Sequence, residues 1–136
     1  LIRTLERSGC YIVDDDFVQI HRFLRSDVAV DGDPLENLVL AFLTDAVASP
    51  TRYIDEGEKG TELVGRIRAS GAEGVVFCAP SFCDPALLDQ PMMVHAVDRQ
   101  KVPWTAFKYS ENTGQFQVIR EQAGTFADSI KLWSEA

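Results

Sequence analysis

The sequence predicts an α/β fold in three layers, with short parallel strands in the centre and helices on both faces. Short apolar runs near residues 10–14, 74–79 and 102–108 are too brief for buried helices and are bounded by Gly, Pro or charged residues. Between them, apolar residues recur at helical spacing. The two kinds of segment alternate, which calls for parallel strands joined by right-handed helical crossovers. With 136 residues and 46% hydrophobic content, the chain can build one packed core and is too apolar to remain disordered.

Leu1, Ile2 and Leu5, closed by Ser8-Gly9, read as the last turns of a helix with a glycine stop. Cys10–Val13 is the first expected strand, ending in Asp14-Asp15-Asp16. These aspartates form a solvated acidic turn, or else cap a helix carrying Phe17, Ile20, Phe23 and Leu24. A helix followed by a strand is the second half of a βαβ unit. The expectation is therefore that the first strand of the sheet lies outside this sequence, which would be the carboxyl-terminal domain, residues 1–136, of a longer subunit. Pro34 opens a helix with Leu35, Leu38, Val39, Phe42, Leu43 and Ala46 on one face, and Ser49-Pro50 ends it. The charged stretch 51–60 reads as a linker or short helix, and Thr61–Ser70 as a helix stopped by Gly71.

Gly74–Cys78 is an apolar strand stopped by Pro80-Ser81, after which Asp84-Pro85 signals a helix start with Asp84 as its cap. Pro91 should kink or restart that helix, with Met92, Ala96 and Val97 on its buried side. Val102–Tyr109 is the last strand, entered through Pro103. A long helix follows, with Phe116, Ile119, Ala123, Phe126, Ala127, Ile130 and Trp133 at a spacing near 3.6. The expected sheet has three or four parallel strands in a flavodoxin-like or Rossmann-like arrangement, with its first strand missing.

Function would sit at the carboxyl edge of such a sheet. Cys83 lies there, just before a helix N-terminus whose partial positive charge suits an anionic sulfur. It is placed to act as a nucleophile or a metal ligand, or else it is an ordinary half-buried loop cysteine. The same edge should gather Asp15, Lys108, Glu111, Thr113, Gly114 and Gln115, and the peptide N–H groups of Asn112-Thr113-Gly114 could meet an anion.

Other chemistries are excluded by what is absent. No G-x-G-x-x-G, G-x-x-x-x-G-K-[ST] or C-x-x-C motif occurs. His21 and His95 stand alone, and Met92 suits core filling better than ligation. A net charge of −8 without a basic stripe argues against nucleic acid. No apolar run is long enough to span a bilayer. Three cysteines, an odd number, fit no disulfide framework and point to a reducing, cytoplasmic setting.

The residues Ser8-Gly9…Val13-Asp14-Asp15, Phe82-Cys83-Asp84-Pro85 with Pro91, and Val102-Pro103…Tyr109-Ser110-Glu111-Asn112-Thr113-Gly114-Gln115…Arg120…Phe126 resemble the benzoyl-CoA reductase and 2-hydroxyacyl-CoA dehydratase family. The tail from Glu111 to Asp128 looks most like a benzoyl-CoA reductase subunit. Many dehydratase relatives carry Gly-Asp-Asp-Leu-Cys where this chain has Asp14-Asp15-Asp16-Phe17-Val18, a departure that favours the reductase branch. The resemblance implies an iron–sulfur subunit that pairs with a homologous subunit and binds an acyl-CoA. An ATP-hydrolysing activator would feed it electrons. It implies a 4Fe–4S cluster held by cysteines, with Cys83 at the position of the late ligand and the others upstream. The chain alone would then hold no intact cluster. Three functions stay in play: a benzoyl-CoA reductase subunit, a 2-hydroxyacyl-CoA dehydratase subunit, or a metal-free flavodoxin-like binding module.

Overall fold

A computed structural model describes residues 1–16, 26–45, 59–110 and 116–134. The chain divides into two compact units, Leu1–Asp14 with Gly57–Ala136, and Asp15–Glu56.

The first unit contains helix α1 (Ile2–Arg7), helix α3 (Thr61–Ser70), strand β1 (Val75–Pro80), helix α4 (Asp84–Arg99), strand β2 (Trp104–Tyr109) and helix α5 (Phe116–Ser134). The strands pair in parallel, with Val75 opposite Trp104 and Pro80 opposite Tyr109. Both expected strands in the second half of the chain form, with the expected parallel sense. One sheet face meets α1 and α5: Phe107 packs with Leu5, Ile119 and Ala123, and Val76, Cys78, Cys10 and Ile12 join them. Side chains alternate along a strand, so Phe77 and Trp104 lie on the other face, ring edge against ring face at 6.1 Å. Trp104 donates its indole N–H to Asp98 of α4 at 2.6 Å, and α4 buries Ala96 and Val97. Helices therefore cover both faces, and the three-layer expectation stands.

Close approach explains two glycines. A Cβ on Gly60, which precedes α3 at φ 99°, would meet the Ala96 Cβ at 2.5 Å. A Cβ on Gly74, where the chain enters β1, would meet Ile130 Cδ1 at 2.6 Å and Phe126 Cζ at 2.8 Å.

Three expectations need correcting. Cys10–Val13 is not a strand of the sheet, which among the described residues has two strands rather than three or four. The run still turns Cys10 and Ile12 inward and Tyr11 and Val13 outward, so its apolar pattern is satisfied by packing on the α1–α5 face without a ladder. Next, α4 runs from Asp84 to Arg99 as one helix through Pro91, and Met92 is 45% exposed rather than buried. Pro91 gives up one i→i−4 bond within α4 but does not divide it into two helices. Finally, the residue capping α4 is Cys83, with Asp84 as the first helical residue and Pro85 behind it.

The second unit contains α2 (Pro34–Asp45). Asp33 caps it, its Oδ1 accepting from the peptide N–H of Leu35 at 2.8 Å and of Glu36 at 3.1 Å. Pro34 takes the first helical position, where a missing N–H costs nothing. The expected apolar face is largely exposed: Leu35, Leu38, Val39, Phe42 and Leu43 are each about half exposed or more, and Ala41 is buried. The expected helix after Asp16, and Ala46, lie outside the described residues.

Candidate functional site

The site is the turn between β1 and α4, at the carboxyl end of both strands. β1 ends at Pro80, whose missing N–H would face away from β2. Ser81 then ties the turn to β2 twice: its peptide N–H and its hydroxyl both donate to the Tyr109 carbonyl, at 2.8 and 3.0 Å. The Cys83 N–H donates to Pro80 O at 3.0 Å, and Leu87 N–H donates to Cys83 O at 3.1 Å. The backbone of Cys83 is thus held on both sides, at the first turn of α4.

Its side chain makes no capping bond. A Ser, Thr, Asn or Asp at this position would turn its oxygen onto the free N–H groups of the helix start. A thiol accepts poorly, so Cys83 leaves those groups and its own sulfur available. It is half-buried, while its neighbour Phe82 is 94% exposed. On α4 beside it, Leu88 is 74% exposed and Met92 45% exposed. Exposed apolar side chains thus stand in the turn and along α4.

The other two cysteines have different environments. Cys10 is half-buried, with its sulfur 3.9 Å from the Ala123 carbonyl. Burial pushes its thiol above the ordinary value of 9.0, and the Lys131 ammonium partly opposes this. Cys78 points from β1 into the α1–α5 face, half-buried rather than fully enclosed.

Lys108 is exposed on β2 one residue before the strand ends, at the same carboxyl edge as Cys83. Asp14 is held by Arg66 of α3 through two bonds, 2.8 and 2.6 Å. Asp15 is half-buried and belongs to the second unit. Glu111, Thr113, Gly114 and Gln115 lie outside the described residues. Two of the expected strand ends, then, deliver Cys83 and Lys108 to one edge, and the third expected strand is absent from the sheet.

Sequence reasoning missed the ion pair beneath this turn. Asp89 on α4 is 7% exposed and accepts from the Lys59 ammonium at 2.7 Å, tying α4 to the residue before Gly60. A signal was present. Asp89 stands seven and eight residues before Ala96 and Val97, on the apolar face of its helix, where a carboxylate needs a partner.

A 4Fe–4S cluster takes its ligands mainly as cysteine thiolates. Cys83 fits one such position by donor chemistry, accessibility and placement. Among the described residues no three His, Cys, Asp or Glu side chains lie close enough to hold a metal ion together. No described helix is long and apolar enough to cross a membrane.

Residues 1–130 match the family described as "2-hydroxyglutaryl-CoA dehydratase, D-component". The chain is 58% identical over 135 residues to a subunit of the benzoyl-CoA reductase of Thauera aromatica, covering 98% of this chain and 35% of that relative. It is 27% identical over 120 residues to the beta subunit of the lactoyl-CoA dehydratase of Anaerotignum propionicum, covering 88% of this chain and 32% of the relative. It is 23% identical over 130 residues to the (R)-phenyllactyl-CoA dehydratase beta subunit of Clostridium sporogenes, covering 96% and 34%. The chain thus spans about a third of the length of the curated relatives it matches. No solved structure matches it.

Proposed function

We propose a function on one premise: this chain belongs to the family of the 2-hydroxyglutaryl-CoA dehydratase D-component. Within it, residues 1–136 act as the carboxyl-terminal domain of an iron–sulfur subunit of a benzoyl-CoA reductase. Cys83 supplies one thiolate to a 4Fe–4S cluster whose other ligands come from elsewhere in the subunit. The observation that carries this reading is the half-buried Cys83 at the start of α4, its backbone fixed by Pro80 and Leu87 and its sulfur uncommitted. Such a cluster would supply low-potential electrons, one at a time, to an acyl-CoA thioester. The peptide N–H groups at the start of α4 stabilise the sulfur's negative charge. Lys108, Asp15, Glu111, Thr113, Gly114 and Gln115 are the candidates for the substrate side. The partners are a paired homologous subunit and an ATP-hydrolysing activator, and the setting is cytoplasmic.

The dehydratase reading rests on the family description and on two relatives named as dehydratase subunits. The reductase reading is favoured because identity to the reductase subunit is 58%, against 27% and 23%.

The test is anaerobic iron and sulfide analysis of the assembled enzyme with Cys83→Ser, read beside benzoyl-CoA-dependent and 2-hydroxyacyl-CoA-dependent turnover. A hydroxyl is a poor ligand at a soft site. Cluster and turnover should both be lost, while the fold loses little stability, about 1 kcal/mol or less for a substitution in a surface turn. Iron retained at the wild-type level would remove Cys83 as a ligand. Turnover of only the 2-hydroxyacyl-CoA would favour the dehydratase.

A further inference from the structure

The two halves of α4, before and after Pro91, are anchored in different ways. Pro91 has no N–H to give to the Leu87 carbonyl, so the ladder that stiffens the helix is interrupted there. Beyond it, Ala96 and Val97 are buried and hold the carboxyl-terminal half by apolar packing. The half that begins at Cys83 has no such anchor. Ala86 and Leu87 reach only half-burial, and the one buried residue is Asp89, 7% exposed. Its carboxylate accepts from the Lys59 ammonium at 2.7 Å.

Lys59 and Gly60 lie across the interruption. Gly60 rests on the far side, where an added Cβ would stand 2.5 Å from the Ala96 Cβ and 3.6 Å from Met92 O and Met93 Cα. Gly60 is itself fixed, its carbonyl accepting from the Val64 N–H at 2.9 Å as α3 begins. From that fixed point the adjacent Lys59 reaches back to Asp89 on the near side. Two neighbouring residues thus touch α4 on either side of its proline.

We propose that the Lys59–Asp89 pair is a positioning device, which holds the Cys83-bearing half of α4 in line with the anchored half and so sets the direction in which the Cys83 sulfur meets the cluster. This rests on the assignment of Cys83 as a ligand made above. The bond from the Cys83 N–H to Pro80 O fixes one point of this half-helix, but one point does not fix an axis. Asp89, six residues on and so about 9 Å along the helix, supplies the second point. A buried ion pair adds little stability over well-packed apolar residues of the same volume, and the use of one here is a matter of placement.

The test uses the assembled enzyme under anaerobic conditions. Lys59→Met combined with Asp89→Leu removes both charges and leaves neither partner buried alone, so the thermal midpoint should stay near that of wild type. Release of iron to a chelator should nonetheless quicken by at least about tenfold, the scale on which loss of a ligand-orienting contact is felt. The electron paramagnetic resonance of the reduced cluster should shift as well. A purely structural pair would move the midpoint and leave both of these unchanged. Adding Pro91→Ala restores the missing bond to Leu87 and should return release toward the wild-type rate, since a continuous helix needs no tie across it. If the double variant does not assemble, Asp89→Asn, which keeps the shape and one hydrogen bond, takes its place and should also quicken release. Release at the wild-type rate from either folded variant overturns the proposal, as does a Pro91→Ala addition that leaves release fast. Cys83→Ser, run beside them, separates the two claims. If it loses iron while the double variant holds iron as wild type does, the pair does not position Cys83. If it keeps all its iron, Cys83 is no ligand and the proposal falls with that reading.

Discussion

Gly74–Cys83 and Cys10–Asp16 are built from the same ingredients. Each is an apolar run that follows a helix and a glycine, and each ends in polar turn residues. Gly74–Cys83 yields a strand, a tight turn and an oriented cysteine; Cys10–Asp16 packs against a helix face without entering the sheet. The difference is the neighbour. β1 has β2 beside it in register and uses both its faces, Val76 and Cys78 toward α5 and Phe77 and Ala79 toward α4. Cys10–Val13 has one useful face, and Tyr11, at 85% exposure, has nothing to pack against. An apolar run specifies which side chains turn inward, whereas a strand also needs a partner for its peptide groups.

The comparison is broken most severely by removing what unites the two regions. Phe107 touches the cluster that holds β1, α1, α5 and, through Ile12, the first segment. Phe107→Ala should cost about 3–5 kcal/mol, read as the loss of urea midpoint at unchanged slope. Ile12→Ala, on the half-buried segment, should cost clearly less. Equal losses would show that Cys10–Val13 is as firmly built in as the strand.

Gly74→Val sharpens the contrast from the other side. The added Cβ and methyls would push into Ile130 and Phe126, with the Pro103 carbonyl 3.2 Å away. Overpacking of this kind costs about 1–3 kcal/mol. Gly9→Ala, at the entry to the first segment, has roomier contacts at 3.7 Å, and its cost comes from φ 98° rather than from packing. Thermal midpoints of both variants should fall, with near-UV circular dichroism altered in Gly74→Val alone.

Much of the first unit was legible for a local reason. Gly71 stops α3 in the left-handed conformation, Pro80 and Ser81 stop β1, and the apolar spacing of Ile119, Ala123 and Ala127 sets the buried face of α5. The position of Cys83 between a strand end and a helix start followed from the same signals. Illegible were the facts that depend on distant residues. The cap of α4 shifted by one from Asp84 to Cys83, because the turn is fixed from outside by Tyr109. The exposure of α2 could not be read either, since a continuous apolar pattern promises a buried helix. The bond of Asp14, at the end of the first expected strand, to Arg66 also depends on a distant residue.

That Asp14–Arg66 pair allows a smaller test. Its side chains are 37% and 22% exposed, so solvent screens it, and Arg66→Ala should cost no more than about 1 kcal/mol. The effect should shrink in high salt. A larger, salt-independent loss would mean that the pair fixes the first segment in place of the missing ladder.

The smallest effect concerns Cys10 and has a definite sign. Burial raises its thiol above 9.0, against a lesser opposing pull from Lys131. In the unfolded chain the thiol ionises near that ordinary value. The folded state therefore binds the proton more tightly. This contribution is fully present below the unfolded value and is lost as pH rises through the folded one. The protonated thiol can also donate to the Ala123 carbonyl at 3.9 Å, a weak bond that ionisation removes. Thermal midpoints taken from neutral pH into the alkaline range should fall more steeply for wild type than for Cys10→Ala. Lys131→Met should displace the steep region to higher pH, since it removes the charge that favours the thiolate. Parallel curves for wild type and Cys10→Ala would show that the sulfur is open to water in solution, and that the first segment is held more loosely than its contacts with Leu5 and Ala123 imply.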